Sequence, residues 1–417
     1  MVLSHLHSDL PPSELQEYHD RYLTNNLRSH FSQLYTIEKR LTSLARWANS
    51  IPQVFWIEQD GQLPIPSVHN IPVPLLELRD LVHQCVNKAI DIMEKELLFG
   101  GKLEDLVPST ANRQFFAESP TFHEAGKNFI DMPANQSRFQ PLQAHILDQL
   151  TSNPHLRQSF FYSVAGQQVV WKPGAVAHYL QLHQEFLRYL FPPLYLLNPA
   201  RRGTSWSHLA LANLVGRPRG YWSLLDIGLL VSQVDKTEHI HRGAQVDPVH
   251  IVLQPLHGAI MALHAAVVPF CRLLQQQLFH ARPAIDLYNY LFTDGQTRWD
   301  TKKFSKILLD FTAPRFPPGL TISTMRQLNI MIGCRFLSKE FTLPSLKDTN
   351  ESSVFDKSTG HSTATSLANY AVEQAYAFTT IDASLLQMHV RCSAAYAALY
   401  DFTTPSVCHT LLLSFLN

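Results

Sequence analysis

The chain has 417 residues, 45% of them hydrophobic and 16% charged, which is enough apolar material for two or three cores. Its 34 Lys+Arg balance its 34 Asp+Glu at a net charge of +0. That balance excludes a uniformly basic duplex-coating protein, so any nucleic-acid role must come from local clusters of cations.

The five cysteines (Cys85, Cys271, Cys334, Cys392 and Cys408) stand far apart in apolar surroundings. That suits reduced thiols better than a disulfide framework. No CxxC, HExxH or paired Cys/His spacing is present to hold zinc. Met1 to Asp20 reads as neither a secretory nor a transit leader. The longest apolar run, Gly258 to Cys271, is interrupted by His264 and Pro269 and is too short for a bilayer. A soluble, intracellular chain without a membrane partner is expected.

From Glu14 to Trp47 the apolar positions recur at helical spacing, and Pro52 to Pro74, with five prolines, reads as a linker. Leu75 to Phe99 is helical and stops at Gly100-Gly101. Lys102 to Ser137 reads as a loop or short-helix connection. Phe139 to Leu150 and Ala175 to Leu190 are further helices, the second broken by Pro192-Pro193. Tyr221 to Val234 reads as a hairpin around Asp226 and Gly228. Val249 to Leu278 is a long helical pattern broken near Pro269. Helices at Thr301 to Phe311, Thr324 to Phe336, Ser362 to Ala377 and Ala383 to Tyr400 complete the chain, with a polar stretch at Lys347 to Ser358. The expected fold class is mainly α (α+β). Residues 1–130 form a helical region with a Pro-rich linker, 131–194 a second helical region, and 195–417 a mostly helical domain with one small antiparallel sheet.

Chemistry gathers near the end. Thr321 to Arg326 (TISTMR) is followed by a helix, a variable loop, and Gly360-His361-Ser362 with Tyr370 on the next helix. Upstream lie Pro199 to Thr204 (PARRGT), the hairpin ending in Asp235-Lys236, His257 to Phe270 closing on VVPF, and Tyr290 to Gly295 (YLFTDG) with Trp299 to Thr301. In this order the segments resemble the carboxy-terminal part of tyrosine recombinases. The stretch from about Asn135 to Ala398 is similar to recombinase-like regions of fungal mobile elements of the Crypton kind and of RecQ-helicase-linked fungal proteins.

The resemblance implies DNA strand breakage and rejoining through a covalent 3′-phosphotyrosine. A helical clamp would precede a catalytic domain from about residue 195. Metal-free phosphodiester exchange needs a nucleophile that can hold the strand, cations around the phosphate, and an acid for the departing 5′-oxygen. By resemblance, Tyr370 is the nucleophile, Arg202 and Arg326 the two phosphate-clamping arginines, His361 a phosphate donor and Lys236 the general acid. Bland alternatives stand beside these roles. Tyr370 could pack in a core, Lys236 could be an exposed hairpin-end lysine, and Arg326 could belong to a structural ion pair. Ser323 reads as a phosphate contact or a helix N-cap, Arg201 as a neighbour of Arg202 on the same phosphate, and Arg217 and Arg219 as a basic loop or phosphate contacts.

Two departures from the family pattern bear on activity. Ser323 replaces the common histidine three before Arg326, and Ser205-Trp206 replaces the Glu-Leu after the first arginine. A second reading is therefore a binding module that keeps the fold and has lost catalysis, and a third is a helical structural protein. The expected partners are double-stranded DNA and further copies of the chain on it, with no cofactor and a nuclear location.

Overall fold

The structure, a computed structural model, describes residues 54–57, 65–108, 116–119, 121–165, 168–224, 227–231, 249–279, 288–336 and 383–402, with Leu34, Ile37, Glu38 and Leu41. These residues are mostly helical with small antiparallel sheets. The chain divides into two compact units, 1–55 and 56–417. Of the first, the four isolated positions named above are helical.

Strand β1 (Val54–Ile57) crosses the unit boundary, and β2 (Ile65–Val68) and β3 (Ile71–Pro72) pair antiparallel, Ser67 opposite Pro72. Of the prolines read as a linker, Pro66 and Pro72 sit within short strands and Pro74 stands just before the helix that follows, while Pro52 and Pro64 lie outside the described residues. Proline is tolerated in a sheet where no ladder N–H is required of it. The turn between β2 and β3 holds His69 and Asn70 at positive φ.

Helix α1 (Leu75–Asp91) runs into a wider π turn at Ile92–Leu97 and ends at Gly100, which takes φ +91. Its buried residues Leu78, Leu81, Val82, Cys85, Val86 and Ala89 form one stripe. That stripe packs on α5, described below. Burial pushes the Cys85 thiol up to about 12, so it is a packing residue. A short α2 (Leu103–Leu106) follows, then α3 (Pro133–Ser152), which Pro133 starts six residues before the first periodic apolar position.

Helix α4 (Pro154–Phe160) is capped by the Asn153 side chain and leads into the hairpin β4 (Phe161–Ala165) and β5 (Gln168–Trp171). Helix α5 (Pro173–Leu196) continues through Pro192 and Pro193 instead of breaking there. Every residue from Leu190 to Leu196 is buried, and that packing outweighs the two missing N–H donors.

After a single turn of helix, α6 (Gly203–Ser207), comes a three-stranded antiparallel sheet of β6 (Tyr221–Leu224), β7 (Ile227–Val231) and β8 (Val249–Val252) in that order. The β6–β7 hairpin agrees with the sequence reading, with Ser223 opposite Gly228. Strand β8 does not. Its VHIV run is β-branched and pairs with β7, although its apolar residues merged with the helical pattern after it.

The helix proper starts with α7 (Leu256–Ala262), passes a π turn at Leu263–Val267 and continues as α8 (Val268–Phe279). The wide turn falls just before Pro269, which cannot donate to the ladder. Among the described residues Leu256–Gln276 is the one stretch long and apolar enough to cross a membrane, and 83% of its most apolar window is buried inside the protein. It is a core helix. Helices α9 (Thr301–Thr312), α10 (Ile322–Phe336) and α11 (Ala383–Leu399) close the second unit.

Candidate functional site

The segment after α5 carries Arg201 and Arg202, and α10 carries Arg326. Tyr195, near the end of α5, has its hydroxyl 3.0 Å from the Ile322 carbonyl and 3.3 Å from the Arg201 carbonyl, a donor shared between the two arginine-bearing segments. Burial pushes this hydroxyl well above its ordinary range, with the Arg326 charge acting in the opposite sense.

Below Tyr195 a second tie runs through amides. Asn198 donates to the Ile251 carbonyl at 3.0 Å and accepts from the Ile251 N–H at 2.9 Å, so its side chain serves β8 as one more strand residue would. Asn329 on α10 donates to the Asn198 carbonyl at 3.0 Å, and Tyr396 on α11 donates to the Asn329 carbonyl at 3.0 Å. The 198–202 segment, β8, α10 and α11 are therefore cross-braced by buried neutral groups. A bond made to a main-chain atom fixes backbone position whatever the neighbouring side chain is.

Arg202 stands at the residue before α6, in extended conformation and with no side-chain cap bond, and is half-buried, whereas Arg201 is buried. Gly203 is needed here: a Cβ on it would lie 2.6 Å from Thr301 Cγ2 at the start of α9. Trp206 is core, its ring 5.6 Å from Phe191 and 5.7 Å from His250.

On α10 the buried face is Ile322, Met325, Leu328, Asn329 and Ile332. Arg326 is half-buried at its rim and Ser323 is exposed one turn earlier on the same side. The cap of α10 is Thr321, whose hydroxyl accepts from the Thr324 N–H at 3.3 Å, so Ser323 is not the N-cap. Arg217 is half-buried in a tight turn closed by Leu214 N–H to Arg217 O at 2.8 Å, with Gly216 at φ +72.

Arg219, expected in a basic loop, lies in the interior. Its guanidinium is ion-paired with Glu118 and sits 4.0 Å over the Trp222 ring. Glu118 also accepts from the Ser223 N–H at 2.9 Å, and burial pushes its carboxyl up to about 7 against the pull of Arg219. Asn135 holds the neighbouring Ala117 at both ends, accepting from its N–H and donating to its carbonyl, each at 2.8 Å. Across the sheet His257 bonds Tyr221 Oη at 2.8 Å and Ser223 Oγ at 3.3 Å, and burial holds it down to about 3. A Cβ at Gly228 would meet His257 Nδ1 at 2.7 Å. A guanidinium so enclosed is out of reach of a phosphate.

Lys236, His361 and Tyr370 lie outside the described residues. Of the proposed catalytic set the structure thus describes Arg202 and Arg326, and it brings their backbone segments together from 124 residues apart (326 − 202). The bracing residues Tyr195, Asn198, Asn329 and Tyr396 carry no motif, and sequence reasoning missed them. No protein-family model, no curated protein and no solved structure matches the chain.

Proposed function

We propose that the chain is a tyrosine-recombinase-type DNA strand-transfer protein that acts in the nucleus as an assembly on paired duplex sites. One observation carries this reading: the Tyr195 hydroxyl bridges the Arg201 and Ile322 carbonyls, so the two arginines that the resemblance assigns to one phosphate stand on adjoining segments. In the proposed reaction the Tyr370 phenolate attacks the scissile phosphorus. The new bond is a 3′-phosphotyrosine, and the bond to the 5′-oxygen breaks with a proton delivered by Lys236. Arg202, Arg326 and His361 stabilise the charge on the non-bridging oxygens. Ser323, one turn from Arg326 and exposed, and Arg217 are further phosphate contacts, with Arg201 setting the position of Arg202.

Nicked suicide duplexes drawn from the DNA flanking the gene test this. The expected result is a protein–DNA adduct that survives denaturation, maps to Tyr370 and is absent in Tyr370→Phe. An adduct on another residue, or none, overturns strand transfer. The reading of a binding module that has lost catalysis is favoured by Ser205, which stands where the family places a carboxylate beside the first arginine. It predicts duplex binding that weakens steeply with salt and forms no adduct.

A further inference from the structure

Hairpin β4–β5 is anchored on one side and bare on the other. Trp171 packs at 4.6 Å on Phe161 and at 6.1 Å on Phe270 of the core helix α8, so the inner side is fixed. The register pairs Phe161 with Trp171 and Ser163 with Val170, which leaves Tyr162 as the extra residue of a bulge. A bulge re-aims the side chain it carries. Tyr162 is 67% exposed, and beside it Val169 and Val170 are 38% and 49% exposed. The Lys172 ammonium lies 5.5 Å from the Tyr162 ring centroid and donates to the Gln158 carbonyl at 2.6 Å. A lysine has further donors to offer after that bond.

The chain segment that holds the hairpin carries no acidic residue. No Asp or Glu stands between Asp148 and Glu185, a run that includes the exposed Arg157 and His155 and half-buried Lys172. The Lys172 bond to the Gln158 carbonyl sets its ammonium beside the segment carrying Arg157, so two cations flank the hairpin where phosphates would lie. A two-stranded ribbon is also an element that the major groove admits.

We infer that β4–β5 is a DNA-contacting ribbon, with Tyr162 and Val170 against the groove and Lys172 and Arg157 on the flanking phosphates. This rests on the DNA reading above and extends it to a second surface, outside the proposed catalytic set. An exposed apolar hairpin with no ligand is otherwise an edge open to self-association, and that is the competing occupant.

The test measures duplex affinity by anisotropy over a salt series for the full chain, Tyr162→Ala, Lys172→Ala, and the triple variant with Arg157→Ala, each with its urea unfolding curve. The salt slope is expected to shrink by about 0.9 for each cation removed, and the triple variant to bind roughly tenfold more weakly, with unfolding unchanged. A photocrosslinker at position 162 should capture the duplex. Unchanged affinity and slope, or capture of a second copy of the chain in place of DNA, overturns the ribbon. If the unaltered chain binds no duplex at low salt, the DNA reading falls with it. A ribbon effect without a Tyr370 adduct removes strand transfer and leaves the ribbon standing.

Discussion

Tyr195, Asn198, Asn329 and Tyr396 bond through neutral hydroxyls and amides to backbone atoms, whereas the network of Arg219, Glu118 and His257 is built on ionisable side chains. The two networks occupy one unit and use similarly buried side chains, yet one encloses its arginine and the other braces the backbone of segments whose arginines are less buried. Around Glu118 the guanidinium of Arg219 is consumed inside the protein. Around Tyr195 the bracing is done by neutral groups, and Arg202 and Arg326 stay half-buried at the rim. Neutral bracing of this kind fixes backbone position through main-chain atoms, independently of the arginine side chains it stands beside.

Breaking the charged network should have the largest effect. Glu118→Ala removes the carboxylate that faces buried Arg219, and about 3–5 kcal/mol of stability is expected to be lost in urea unfolding. A loss below about 1 kcal/mol would mean that Arg219 is satisfied without Glu118. In the neutral network Asn198→Ala strips the Ile251 N–H and C=O of their partners, and about 3 kcal/mol should be lost.

The contrast extends to pH. Glu118 has its folded pKa raised from 4.5 to about 7, so the folded state holds this proton more tightly than the unfolded chain. Its contribution to stability is present below pH 4.5 and is lost as pH rises towards 7. His257, lowered from 6.5 to about 3, acts in the opposite sense, adding stability as pH rises from 3 to 6.5. Stability curves of Glu118→Gln should therefore lose the falling component and rise more steeply between pH 4.5 and 6.5. A curve parallel to the parent would show that Glu118 stays ionised throughout. The smallest effect belongs to Tyr195→Phe, at about 1 kcal/mol for a hydroxyl whose ring stays packed, with no pH dependence near neutrality.

The helices were legible because long periodic stripes such as Leu78 to Ala89 record a buried face directly. Short strands were not. Val249–Val252 is as apolar as the helix it precedes, and Ile65–Val68 hides among prolines. Pro192 and Pro193 misled in the other direction, since tertiary burial rather than local propensity decided that turn. In the site, the arginines were visible as charged residues in motifs, but the residues that place them act on main-chain atoms. An asparagine such as Asn198 carries no mark of the strand it completes. Arg219 read as a surface cation because its partner, Glu118, stands 101 residues away (219 − 118) in a stretch without periodicity.

If Arg202 and Arg326 meet one phosphate, as proposed, their contributions to duplex binding are coupled. A double-mutant cycle on duplex affinity, with Arg202→Ala, Arg326→Ala and both together, tests it most directly. The second substitution is expected to cost less once the first is present, with a coupling of about 0.5–3 kcal/mol. Strict additivity of the two losses would contradict it.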